Sequence, residues 1–308
     1  MKSTGLIILG AALFAAAASL ACPATSRADV SADELKKIEA ALPSKAPAKP
    51  AKPRKILIFD LTEGFHHDSI PVGDKAFELM GKKTGAYTVT VSHDMGVFTP
   101  ENLAQYDAIL FENTTQLKFS DPDQRAALLD FVKGGKGFIG IHAATDNFPT
   151  WPEAVAMIGG QFDGHPWGAG GNSKGEGWAM KVDDPTHVLN RSFGGKGFIL
   201  KDEIYQIKGP YSRDKYRVLL SLDMAPDRNH VSDKCGRADG DNPIAWIKPF
   251  GEGRVFYCSL GHNKEIYWNK AVLKHYLAGI QWALGDLKAD DTPSAKLDPQ
   301  PKPALAPK

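Results

Sequence analysis

The chain has 308 residues, 43% of them hydrophobic and 24% charged, which suffices for a substantial core in one large or two modest domains. Its formal charge of +1 leaves no surplus of either sign. That balance excludes nucleic acid or anionic lipid as a partner drawn in by charge alone.

At the N-terminus, Lys2 precedes an apolar run over 6–21 and then Ser26-Arg27-Ala28. The pattern reads as an export signal cleaved after Ala28, because the run falls short of the roughly 20 residues that span a bilayer. The chain is therefore expected to be exported, periplasmic or secreted, with no stable membrane insertion after cleavage. Cys22 offers the alternative of a lipid attachment site. Cys235 and Cys258 then remain, which is no disulfide framework. They either form one bridge or leave Cys258 as a small core residue inside its apolar run.

A short helix over 31–42 opens on a capping box, Ser31 with Glu34. The proline-rich stretch that follows reads as an extended, solvated linker, so 29–54 is expected to stand outside the main domain. From there β and α signals alternate: strand 55–60, helix 72–83, strand 87–92, strand 107–112, helix 121–133 and strand 137–142. The second helix carries Asp121 as N-cap, Pro122 at its first position, Gln124 at its third and Gly134-Gly135 past its end. This order predicts a mainly parallel sheet with helices on both faces.

The second half changes character. Strands are expected at 178–182, 203–207, 217–222, 244–248 and 254–259, joined mostly by turns, and they extend the sheet or add an antiparallel layer. Residues 249–253 read as a hairpin turn. A last amphipathic helix over 269–284 ends at Gly285, and the polar, proline-rich 286–308 is expected to be a disordered tail.

Histidines recur just past the apolar runs: His66 and His67, His142, His165 and His262. Since strand ends of an α/β sheet meet on one rim, these can share a pocket suited to proton transfer or metal binding. His142, Glu203 and His262 are the expected catalytic groups; His66, His67, Asp146, His165, Trp167 and Tyr205 are expected to bind substrate. Asp146 either orients the His142 imidazole or caps the next turn. One of His66 and His67 faces the pocket, with the other beside Asp68. Strand alternation puts Glu203 and Tyr205 on one face. Trp167 and Trp178 either offer flat faces to a sugar ring or pack in the core. Whether a divalent metal binds stays open, because no ligand pair has local spacing; His142, His165 and His262 with Glu203 are its first candidate ligands.

The motifs GFHHDSI (64–70), IGIHAATDNF (139–148), GGQFDGHP (159–166), DEIYQI (202–207) and PIAWIKPFGEGRVFYCSLGH (243–262) together resemble the ThuA-like family of trehalose utilisation over about 55–285. The resemblance implies a flavodoxin-like fold, the three-layer sandwich of the class I glutamine amidotransferase-like superfamily. It also implies a small-molecule carbohydrate as partner. Where amidotransferases carry a nucleophilic cysteine at a strand-to-helix elbow, this chain has His142, which excludes acyl transfer through a thiol there. The stretch after the first strand lacks a phosphate cradle, so no nucleotide or flavin is expected. Two functions remain: acid-base chemistry on a sugar or keto-sugar, or a non-catalytic carbohydrate-binding or accessory module.

Overall fold

The computed structural model describes residues 30–225, 227–232 and 235–307; the expected export signal and Cys22 lie outside the described residues. The first elements are helix α1 (Ala32–Ala41), strand β1 (Lys55–Phe59), helix α2 (Ile70–Thr84), strand β2 (Thr88–Ser92), helix α3 (Pro100–Leu103) and strand β3 (Ala108–Glu112). Helix α4 (Pro122–Lys133), strand β4 (Gly137–Ile141) and helix α5 (Pro152–Ile158) complete the first half. The second half contains β5 (Gln161–Phe162), β6 (Trp178–Val182), β7 (Phe198–Leu200), β8 (Ile207–Lys208), β9 (Arg217–Leu222), β10 (Pro243–Phe250), β11 (Gly253–Cys258) and helix α6 (Lys270–Ala283).

Nine strands form one sheet in the order β2-β1-β3-β4-β11-β10-β9-β6-β7. The pairs from β2 through β11 are parallel, and the pairs from β11 outward to β7 are antiparallel. The expected architecture, a mainly parallel core extended by antiparallel strands, is what forms. Residue alternation builds the layers: Ile56 and Ile58 join the core made with α1, α2 and α6, whereas Leu57 and Phe59 join the core made with α4 and α5. The turn between β10 and β11 is the tight hairpin expected, Phe250 pairing with Gly253.

Three expectations are corrected. The 203–207 stretch is not a strand: Ile204 makes a single bridge to Trp167, and only Ile207–Lys208 pair, with β5. The segments on either side of the domain are packed on it. Ser31 and Glu34 form the capping box, and Ile38, Ala41 and Leu42 of the first helical segment are buried. The linker after it is extended but anchored, Ala48 exchanging two hydrogen bonds with Gln281 and Arg54 pairing with Asp286. The tail is not disordered either. Ser294 accepts a bond from Val218 N, Ala304 pairs with Val182, and Ala306 is buried. Neither segment has the apolar area to make its own core, yet a few anchors suffice to lie against one already built.

Among the described residues, no helix is long and apolar enough to cross a membrane. Cys258 is free and buried, and Cys235 is free, so the core-residue alternative for Cys258 is the one adopted.

Candidate functional site

The carboxyl ends of β1, β3, β4 and β11 point to one rim, and the chain reverses direction across the sheet between β1 and β3. Three histidines arrive there on the loops that leave β1, β4 and β11, namely His67, His142 and His262, and Glu203 reaches them from the irregular segment between β7 and β8. One ligand atom from each of the four lies within 4.8 Å of the others.

His142 sits where β4 breaks into a 3-10 turn, His142–Asp146, and its φ of 45° is the left-handed conformation a sharp elbow demands. Two contacts hold it. Tyr257 donates its hydroxyl to the His142 carbonyl at 2.7 Å, and His142 Nδ1 meets the Ser259 carbonyl at 2.7 Å. A carbonyl only accepts, so Nδ1 carries a proton and Nε2 is the nitrogen turned toward the cluster. Nε2 stands 3.5 Å from Glu203 Oε2 without hydrogen-bond alignment.

His262 approaches the same oxygen, its Nδ1 3.1 Å from Glu203 Oε2, again without alignment for a hydrogen bond. Its loop is fixed from both sides. Asp202, fully buried, accepts the N–H groups of Gly261 and Asn263 at 2.7 Å each, while Ser69 and Asn113 reach the Gly261 carbonyl at 2.9 and 3.2 Å. Gly261 itself has φ 139°, and a Cβ there would stand 2.9 Å from Ile141 Cγ2 and the Tyr267 hydroxyl, so only glycine fits.

His67 packs edge-on against the rings of His142 and His262, with centroids at 4.9 and 5.0 Å. Its Nδ1 is buried without a hydrogen-bond partner. Burial and the two neighbouring imidazoles push its pKa down to about 2, so the ring is neutral and its unprotonated nitrogen can donate an electron pair. Burial works against the Glu203 charge, but His142 and His262 hold the carboxyl well below the usual carboxylate range. Burial likewise opposes the charged form of His262, yet Glu203 outweighs it and raises that pKa.

His165 stands apart from the four: it is mostly exposed, but its Nδ1 lies 3.2 Å from the other Glu203 oxygen, Oε1, and its ring stacks on Phe162. The Tyr205 ring covers His142 at 4.4 Å, so Glu203 and Tyr205 do face the same side, though from an irregular backbone rather than a strand. His66 turns outward to Thr62 and is not part of the cluster. Asp146 does not orient His142. The Ser259 carbonyl does, and Asp146, half-buried beside Gln116, has its pKa pushed up to about 6 by burial. Trp167 and Trp178 are buried, each indole N–H satisfied by a backbone carbonyl, so neither presents a face to a ligand. The metal-capable set is thus His67, His142, Glu203 and His262, with His67 in the place expected for His165.

Chemically, three ring nitrogens and a carboxylate oxygen converge on a point without bonding to one another. Zinc-type sites place such ligands about 2.0–2.2 Å from the ion, so the spacing seen needs each to move inward by less than about 1 Å. Sequence reasoning missed Asp202 and Ser259. Ser259 acts through its backbone, which carries no side-chain signal, and Asp202 was visible in the DEIYQI motif beside Glu203.

A sequence model of the family described as ThuA, trehalose utilisation, matches residues 55–283. Among solved structures, a ThuA-like protein from Bacteroides uniformis is 23% identical, covers 77% of this chain and 94% of its own, and has a TM-score of 0.60. A ThuA-like protein from Parabacteroides merdae is 18% identical over 78% of this chain and 93% of its own, with a TM-score of 0.54. At these identities the likeness establishes the fold. Comparison with curated proteins finds no match.

Proposed function

Since this chain belongs to the ThuA family, which ties it to carbohydrate utilisation, we propose that it is an exported enzyme acting on a sugar or keto-sugar at a centre made by His67, His142, Glu203 and His262 and holding a divalent metal ion. The observation that carries the metal is the way His142 is held, with Nδ1 anchored and Nε2 aimed at the cluster. With Nδ1–H committed to the Ser259 carbonyl, His142 turns Nε2 toward Glu203 with no hydrogen bond between them, and a cation held between the two would satisfy both. Uncompensated polar atoms on His67, His142 and His262 point the same way.

A bound divalent ion supplies a Lewis acid that polarises a carbonyl or hydroxyl of the sugar. The chain's own groups do the rest. Glu203 uses Oε2 toward the cluster and leaves Oε1 to His165, whose exposed ring can receive a proton from the site and release it to water. Tyr205 and the buried wall behind His142 exclude water from the far side of the cluster. The elbow that holds His142 offers no thiol, so acyl transfer through a cysteine there is not the reaction.

Metal analysis of purified protein, with His142→Ala and Glu203→Gln beside it, tests this. One equivalent of a divalent ion in the parent and loss of it in both variants is expected, together with loss of turnover on a panel of glucosides and their keto derivatives. A protein that takes up no divalent ion after dialysis against zinc, manganese or nickel refutes the metal centre. Sugar binding without turnover on any member of the panel leaves a carbohydrate-binding module.

A further inference from the structure

We propose that Phe65 is a sugar-stacking residue that sets the affinity of the site for pyranose rings, an inference that rests on the sugar-directed reading above. Four large hydrophobic side chains among the described residues are well exposed, and Phe65, at 65%, is the most exposed of them and the one aromatic. The ring is not on a loose loop. Glu63 N donates to the Thr115 carbonyl at 2.9 Å, Thr115 Oγ1 donates to the Phe65 carbonyl at 2.8 Å, Thr62 bridges Thr115, and Lys118 N donates to Glu63 Oε2 at 3.0 Å. A backbone this well tied fixes an exposed aromatic ring in one place, ready to meet a ligand without an ordering cost.

Its position says what that ligand is. The Phe65 centroid is 4.8 Å from that of His67 and 6.5 Å from that of His262, nearly parallel to the latter at 12°. A molecule that engages the polar cluster therefore meets an aromatic face beside it. Such a molecule must carry hydroxyl or carbonyl oxygens on one side and an apolar C–H face on another. A pyranose ring has both, and aromatic faces pair favourably with groups that present C–H edges. A protein partner would need a wider apolar surface than one ring.

The test measures binding of trehalose, methyl glucoside and the open-chain alditol sorbitol to the full chain by calorimetry and ligand-observed NMR, with metal content assayed in the same samples. The parent is expected to bind the two pyranosides at millimolar concentration or below and sorbitol more weakly. Phe65→Ala should weaken pyranoside binding tenfold or more, and Phe65→Trp should keep it within about threefold, since both aromatic rings offer a flat face. Metal content should be unchanged in both. Equal binding by the parent and Phe65→Ala overturns the proposal, as does full retention in Phe65→Leu, or failure of the parent to bind either pyranoside. A parent that lacks metal yet loses sugar affinity on Phe65→Ala refutes the metal centre and leaves the stacking role standing; the reverse pattern does the opposite.

Discussion

His142 combines a strained backbone with a side chain anchored through one ring nitrogen, and the strain has its own measurable consequence. An L-residue at φ 45° is disfavoured by about 1–2 kcal/mol relative to ordinary backbone, a cost glycine escapes. Removing the imidazole as His142→Gly should thus leave the protein at least as stable as His142→Ala in urea titration, inverting the usual advantage of alanine, which is about 0.5–1 kcal/mol. Asp202 touches no reacting group in this structure but holds the backbone on both sides of His262. In Asp202→Asn one acceptor becomes an amide donor facing a backbone N–H. Metal affinity should fall about 10–100-fold by competition with a chelating dye, as expected for loss of a group that orients a ligand. The Asp202→Glu variant, which keeps both acceptors, should recover part of it. At this scale the sequence revealed the residue types but not their partners. His66 and His67 are chemically alike, and the choice between them depends on a turn that ties His66 to Thr62. The true support of His142 is a main-chain carbonyl, invisible to any reading of side chains, which is why Asp146 stood in for it.

Strands β1, β3, β4 and β11 were legible because each is buried on both faces and so reads as an unbroken apolar run. The 202–207 stretch alternates as well, yet its backbone satisfies only a bridge at Ile204 and a two-residue pairing, because it must turn Glu203 into the rim rather than continue a ladder. The flanking elements were misjudged for a different reason: composition reports what a segment can bury by itself, not what it can lean on. Helix α1 leans on the segment just after His262, Glu34 pairing with Lys264 at 3.0 Å and Lys37 lying over Trp268. Deleting residues 30–42 exposes the surface that Ile38, Ala41 and Leu42 cover and should cost about 2–4 kcal/mol, read as a drop of several degrees in melting temperature. Helix α6 carries a second test. His275 is buried with Nδ1 at 2.9 Å from the Leu189 carbonyl, and burial lowers its pKa to about 4 from 6.5. Between those values the unfolded chain binds the extra proton, so this contribution is complete above 6.5 and is lost as pH falls toward 4, with a slope of at most about 1.4 kcal/mol per pH unit. His275→Asn should flatten that part of the stability curve in calorimetry across pH 4–7.

For the molecule as a whole, the family assignment and the fold agree, and if the N-terminal run is cleaved as the sequence predicts, mass spectrometry of secreted material should find a chain beginning at Asp29. The proposed ion should also show itself globally. A ligand that binds only the native state at a hundred times its Kd adds about 2.7 kcal/mol, so a chelator should lower the melting temperature of the parent by several degrees and leave that of Glu203→Gln unchanged. The four groups that meet at the rim come from positions 67, 142, 203 and 262, spread through most of the described chain. No contiguous fragment of one half contains them all, so the centre is assembled only when the chain is folded end to end. An ion held there ties three long loops at one knot, removing freedom from partly open chains much as a cross-link does. Chelation should for that reason speed unfolding, and the site would act as a clasp on the whole molecule as well as the seat of its chemistry.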